Sequence, residues 1–339
     1  MKNNTFEEIY GAFKDAKTVL LYPHVSIDGD ALGSCVALTV ALRKLGKKCY
    51  TLYKDELPEN LLFLLRDTEE PFVTDNMDIF SDEELDVSCC VDCGSYQRFE
   101  AFKDKFHKAK VTVCLDHHGT SEGIADFNLI NPKKAAAGEI IYEFLKYMDT
   151  VSDADILPDS RISEAIFTAI TTDTGDYQFS NTTKEAHLIT AELMESGLKP
   201  NDISNEIYEN QPLSKIKAES IALSRLEILA GGMVAVSYIT KEECDNLGLK
   251  AGETDGIVRK LRSISGVQYA AFLKEKENNT IRVSYRAKND GYDISVVAKK
   301  HDGGGHKKAC GATLNMPILD AFDMTKKELV ELADEGRNY

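Results

Sequence analysis

No tryptophan occurs anywhere in the 339 residues, and no uninterrupted apolar run approaches the roughly 20 residues needed to span a bilayer. The first absence removes the strongest platform for stacking the bases of a long single strand. The second argues against a membrane-spanning helix. Residues 1–8 contain no apolar signal core, so a cytoplasmic protein is expected. Positive charge is also short: 40 basic residues face 56 acidic ones, and a net charge of -16 disfavours a broad basic surface that holds long nucleic acid. A short anionic substrate stays open, because bound cations invert the local sign of a carboxylate-rich pocket. The one C-x-x-C spacing, Cys90 to Cys93, has no second pair to complete a zinc site and holds Asp92 inside an apolar strand. It reads as reduced thiols serving as small core residues, with no disulfides expected.

What is present is an alternation of short apolar runs and helical patterns. Strands are predicted at 18–22, 48–53, 87–92 and 110–115, and helices at 30–45, 58–65, 96–107, 136–148 and 160–172. Strand-helix alternation argues for an α/β fold with a doubly wound, mainly parallel sheet over 1–182. The helix after Asp30 is apolar nearly all round, so it is expected to be buried, with Gly46 placed to cap it. From 183 to 229 the pattern is helical, interrupted at Gly197-Leu198-Lys199-Pro200 and Gln211-Pro212, and reads as a connector. Strands return at 233–239, 267–274 and 280–285 with a helix over 253–263, a hairpin turn at 276–279 and a closing helix at 320–332. A smaller α/β domain is expected over 230–339.

Chemistry gathers at the ends of these elements. His24-Val25-Ser26-Ile27-Asp28-Gly29-Asp30 follows the first strand, which is where open α/β sheets place ligands. Asp92 ends a strand, Asp116-His117-His118 follows another, and Asp173 ends a helix. A single Asp-Gly-Asp is also a common turn. Five of the seven histidines, however, fall in three loop clusters, His24, His117-His118 and His301/His306, and turns do not need histidine. Oxygen ligands with some imidazole favour manganese or magnesium over thiolate-bound zinc. Their number suits two divalent cations, which together stabilise the entering and leaving oxygens of a phosphoryl transfer. In the second half, Gly303-Gly304-Gly305 lets backbone N–H groups approach an anion, with His306 adding a donor.

Asp116-His117-His118, His24-x-x-x-Asp28-x-Asp30 and Gly303-Gly304-Gly305-His306 together resemble the DHH/DHHA1 phosphoesterase superfamily, within it the small oligoribonucleases that also act as pAp phosphatases. The resemblance implies two manganese ions, with magnesium or cobalt as alternatives, and a second domain that holds substrate across a cleft. It makes His24, Asp28 and Asp92 ligands of one ion, and Asp30, Asp92, His117 and Asp173 ligands of the other, with Asp92 bridging. It leaves Asp116 orienting an imidazole and His118 facing the scissile phosphate. Arg286 resembles the family's substrate arginine, whose planar fork suits a terminal phosphate. Two departures stand out: Ile27 replaces the usual proline, and Ala287 replaces the usual serine. The implied substrates are very short RNA and pAp (3'-phosphoadenosine 5'-phosphate). Cyclic dinucleotides or their linear product pApA are the alternative, a non-catalytic nucleotide-binding regulator is a third reading, and a homodimer remains open.

Overall fold

The computed structural model describes residues 3–66, 68–250, 252–289 and 291–336, in two compact units, Met1–Asn210 and Gln211–Tyr339. Unit 1 contains, in chain order, α1 (Phe6–Lys14), β1 (Thr18–Tyr22), α2 (Gly29–Lys44), β2 (Lys48–Leu52), β3 (Val73–Thr74), β4 (Val87–Val91) and α3 (Lys103–Phe106). There follow β5 (Val111–Asp116), β6 (Phe127–Ile130), α4 (Ala137–Val151), α5 (Ser160–Asp173), α6 (Lys184–Glu195) and α7 (Pro200–Ser204). All six strands are parallel, in the order β3-β2-β1-β4-β5-β6. Strand order reverses between β1 and β4, and in such sheets the crevice at the carboxyl ends of those two strands is where ligands bind.

Both faces of this sheet are covered, which is why its strands read as continuous apolar runs rather than alternating ones. Val19 and Leu21 join the core formed with α1, α2, α4 and α5, while Leu20 and Tyr22 pack on Phe99, Phe102 and Phe106 on the other side. α2 is buried along most of its length, as its all-round apolar pattern predicts. Gly33 is required here: a Cβ would collide with the carbonyl oxygen of Ala165 on α5. Gly46 ends the helix in a left-handed conformation, φ +75°.

The expected helix over 96–107 is broken instead into two 3₁₀ turns, Tyr96–Arg98 and Glu100–Phe102, followed by α3. The Arg98 carbonyl accepts the N–H of Val25 at 2.7 Å, and Phe99 turns out of helical geometry at φ -143° to enter the core. Tertiary demand overrides local propensity at this point.

Unit 2 contains α8 (Leu213–Ser224), β7 (Glu227–Leu229), β8 (Val234–Ile239), α9 (Lys241–Leu247), α10 (Ile257–Ser263), β9 (Tyr269–Glu275) and β10 (Thr280–Ala287). It ends with α11 (Ser295–Lys299), β11 (Gly304–His306), β12 (Ala309–Asn315) and α12 (Ile318–Gly336). The sheet order is β11-β12-β10-β9-β8-β7, with only β8 and β9 parallel. α11 and α12 cover one face, and α8 and α10 cover part of the other.

The segment expected to be a connector divides between the units. Ala186, Ile189, Leu193, Ile203 and Ile207 lodge in the first core, whereas Ala218 and Ala222 of α8 join the second. Apolar residues at helical spacing are committed to one core or the other, so the boundary falls at Asn210 and Gln211, beside the Gln211-Pro212 interruption. Among the described residues no helix is long and apolar enough to cross a membrane.

Candidate metal and phosphate site

The carboxyl ends of β1, β4 and β5 and the end of α5 bring eight polar side chains of unit 1 together. Asp92 is at the centre. Its Oδ2 lies 3.4 Å from His24 Nε2, and its Oδ1 lies 3.3 Å from both His117 Nε2 and His118 Nδ1. The residue adopts φ +55°, a left-handed conformation that costs energy for a side chain bearing Cβ and gathers at functional sites. Around it three sets of potential ligand atoms lie within 4.8 Å of one another: His24 with Asp28 and Asp92, Asp30 with His117 and Asp173, and Asp92 with His117 and His118.

Surrounding backbone fixes which atoms face inward. His24 Nδ1 is 2.7 Å from the Val25 carbonyl and His117 Nδ1 is 3.2 Å from the Lys134 carbonyl. A carbonyl only accepts, so each ring donates from Nδ1 and turns Nε2 to the carboxylates, the orientation a metal-binding imidazole adopts. Asp30 is held by the N-terminus of α4, accepting from the N–H groups of Ala137 at 2.7 Å and Gly138 at 2.9 Å, and from Ser34 Oγ at 3.1 Å. Asp28 caps α2 through the Ala31 N–H, leaving its Oδ2 3.4 Å from His24 Nε2. Asn181 pins Asp173 by donating to its Oδ2 at 3.3 Å.

Three buried atoms in this cluster have no hydrogen-bond partner: His24 Nε2, Asp92 Oδ1 and His117 Nε2. Unpaired buried polar atoms are rare and costly. Here they converge, and imidazole nitrogens and carboxylate oxygens at this spacing are the donor set that a divalent cation satisfies. The residues therefore fit a metal site.

Asp116 and His118 form a second layer. Asp116 Oδ1 lies 2.8 Å from His118 Nδ1 and accepts the backbone N–H groups of His117 and His118, while Ser121 Oγ donates to Oδ2. His118 thus presents Nε2 outward.

Comparison with known proteins gives the family of the chain. Residues 18–172 match the N-terminal domain of the DHH family and residues 231–335 match the DHHA1 domain. An uncharacterized protein of Mycoplasma genitalium, MG371, is 30% identical over 93% of this chain and 90% of its own length. The chain belongs to the DHH/DHHA1 family. The bifunctional oligoribonuclease and PAP phosphatase NrnA of Bacillus subtilis is 27% identical over 88% of this chain and 89% of its own, and the Thermus thermophilus protein of that name is 27% identical over 89% and 86%. The crystal structure of an exopolyphosphatase-related protein from Bacteroides fragilis superposes with a TM-score of 0.85 at 24% identity, covering 97% of both chains, and shows the same fold. As a DHH/DHHA1 protein the chain is a hydrolase of phosphodiester or phosphate bonds.

The electrostatics of the DHH site reflect mutual dependence. Burial lowers the affinity of His24 and His117 for a proton, but the neighbouring carboxylates more than reverse this and raise each to about 10. The carboxylates of Asp116 and Asp92 beside its ring raise His118 to about 9. Burial pushes Asp92 up, yet three imidazoles hold it well below the usual carboxylate range. Asp30 moves the other way, raised by burial and then by Asp92 and Asp173, and Asp173 rises to about 6, mainly through burial. The cluster holds protons where cations would otherwise sit.

In the DHHA1 unit, Gly303-Gly304-Gly305-His306 is not the open loop expected. Gly304–His306 form an edge strand on β12. Gly303 and Gly305 have packing reasons: a Cβ on Gly303 would meet the Ala298 carbonyl oxygen at 2.8 Å, and one on Gly305, at φ +132°, would meet the Ala309 carbonyl oxygen at 2.6 Å. Gly304 alone faces open space. His306 pairs with Ala309, and Ala309 pairs with Arg286, so Arg286 and His306 stand in one cross-strand row with a small residue between them. Arg286 is half-buried and donates to the Tyr285 carbonyl, and among the described residues no carboxylate lies within ion-pair distance.

Sequence reasoning missed Arg98, whose Nη1 is 3.3 Å from His118 Nε2. It sits in the segment predicted as a regular helix, where a basic residue reads as part of a solvated face. Asn181 was missed too, for want of any local signal that links it to Asp173.

Proposed function

We propose that the protein is a manganese-dependent phosphoesterase that releases mononucleotides from very short oligoribonucleotides and removes the 3'-phosphate of pAp to leave AMP. The observation that carries this reading is Asp92, whose two oxygens face separate ligand sets while its Oδ1 and the facing Nε2 atoms of His24 and His117 lack hydrogen-bond partners. His24, Asp28 and Asp92 would hold one cation, and Asp30, Asp92, His117 and Asp173 a second. Bound there, such a pair supplies an activated water and charge stabilisation for in-line displacement at phosphorus.

The remaining steps belong to the chain's own groups. Asp116 keeps His118 in the orientation that turns Nε2 outward, so that a proton can be moved at that atom on a leaving oxygen. Arg286 and His306 would grip a terminal phosphate, the arginine through its planar fork and Gly304 through a backbone that a ligand can approach closely. The naming of the Bacillus and Thermus relatives supports this choice among phosphate esters.

The deciding experiment incubates metal-stripped protein with and without manganese against pAp, RNA of two to five nucleotides, and pApA in parallel. Manganese-dependent release of AMP from pAp and of mononucleotides from short RNA is expected. Turnover of pApA alone would assign the enzyme to dinucleotide signalling chemistry, and no turnover of any would reduce it to a binding protein.

A further inference from the structure

We propose that Arg98 is a catalytic residue that binds a non-bridging oxygen of the phosphoryl group under attack, alongside His118. This inference rests on the phosphoesterase reading and extends it to a residue outside the ligand set.

Five carboxylates, Asp28, Asp30, Asp92, Asp116 and Asp173, crowd the neighbouring cluster. Among the described residues none of them, and no other carboxylate, lies within ion-pair distance of the Arg98 guanidinium. Its side chain instead contacts the outward His118 Nε2 at 3.3 Å, which occupies one donor of a group that has five. A half-buried guanidinium beside so much negative charge, yet paired with none of it, is directed at an anion that comes from outside.

The backbone holds it there. The Arg98 carbonyl accepts the Val25 N–H at 2.7 Å, tying it to the loop that carries His24. The next residue, Phe99, is buried against the rings of Tyr22, Tyr96 and Phe106. This broken helical segment thus fixes the root of the side chain to the metal-binding loop on one side and to an aromatic core on the other. With the carboxylates neutralised by cations, the unclaimed N–H donors of Arg98 are left for a position beside His118 Nε2. A tetrahedral phosphoryl oxygen suits it, since a planar fork matches phosphate and such preorganised donors stabilise charge as it develops.

The bland account is that Arg98 merely steadies His118 by one hydrogen bond, and substitution separates the two. Manganese-loaded full-length protein is compared with its Arg98→Ala, Arg98→Gln and Arg98→Lys variants. The readouts are kcat/KM for pAp and for bis(4-nitrophenyl) phosphate, inorganic phosphate affinity by calorimetry, manganese content and melting temperature. Glutamine keeps a donor for His118 but loses the charge and the fork. The proposal expects both Ala and Gln to lose about 100-fold on both substrates and to bind phosphate about 10-fold more weakly, with Lys recovering part of each loss and metal content unchanged. Near-normal activity in Arg98→Gln, a loss confined to the nucleotide substrate, or unchanged phosphate affinity would overturn it. If the wild-type protein hydrolysed no ester at all, the parent reading would fail. The phosphate titration would then still decide the inference, weaker binding in the variants supporting it and equal binding refuting it.

Discussion

The two units solve opposite electrostatic problems. Unit 1 buries four chemically active groups, His24, Asp30, Asp92 and Asp116, beside the partly exposed His117 at the end of a fully covered parallel sheet, and leaves three of their atoms unpaired. Unit 2 sets Arg286 and His306 in one row at the edge of its sheet, where the β11 residues are exposed, with Ala309 between them. The first arrangement is a donor set that cations would complete, and its members lie within reach of one another. The second is a row of side chains with few polar partners of their own among the described residues. Substitutions in the first should therefore propagate, and substitutions in the second should stay local.

The largest expected effect is at Asp92. Asp92→Ala removes the one carboxylate facing both ligand sets, so hydrolysis should fall by at least about 10³-fold together with manganese content, because activation of water needs the ion held in place. Elemental analysis beside the activity assay checks this. Unchanged metal content with near-normal turnover would remove Asp92 from the bridging role and with it the mutual dependence of the first site.

Proton linkage gives the next effect. His24 and His117 are raised to about 10, so in the metal-free protein both rings are protonated at neutral pH and must release protons to coordinate. A raised histidine stabilises the metal-free fold fully below about 6.5 and loses that contribution as pH climbs through the folded value. Manganese binding runs the other way: affinity should rise with pH between about 7 and 10, by up to about 100-fold per unit for two displaced protons, and fall further below about 6 as Asp173 protonates. Titration calorimetry in buffers of different ionisation enthalpy would count the protons released. A flat profile would show that the two imidazoles are not ligands.

In unit 2 the effect is smaller and confined to substrate. Arg286→Ala should weaken binding of pAp and dinucleotides by roughly 2 kcal/mol, about 30-fold, while manganese affinity and hydrolysis of a small generic phosphodiester hold. Arg286→Lys should recover only part, since it offers a point charge in place of a fork. Equal loss on every substrate would erase the contrast between the units.

The same contrast explains what the sequence made legible. The parallel sheet announced itself because strands covered on both faces are continuous apolar runs, and the polar residues of the first site stand at the ends of strands and helices, where chemistry and periodicity coincide. Elements without an apolar run of their own escaped: the short strands β3, β6 and β11, and β12 with its small residues. Arg98 was hidden for a related reason. Its role depends on a helix being broken by the Val25 N–H, a contact 73 residues away that no local pattern encodes.

The smallest expected effect is the sharpest test of the second site. Three adjacent glycines look alike in sequence, but Gly303 and Gly305 are held by close backbone packing, while a Cβ on Gly304 meets nothing within 4 Å. Alanine at 303 or 305 should destabilise unit 2, and Gly305→Ala carries the added strain of φ +132°. Gly304→Ala should leave the melting temperature almost unchanged, a shift within about 0.5 kcal/mol as for a surface substitution. If a phosphate approaches that backbone, the added methyl group should still raise KM for pAp several-fold with kcat preserved. Unaltered KM in a stable Gly304→Ala protein would mean that all three glycines serve the fold, and the phosphate grip would then rest on Arg286 and His306 alone.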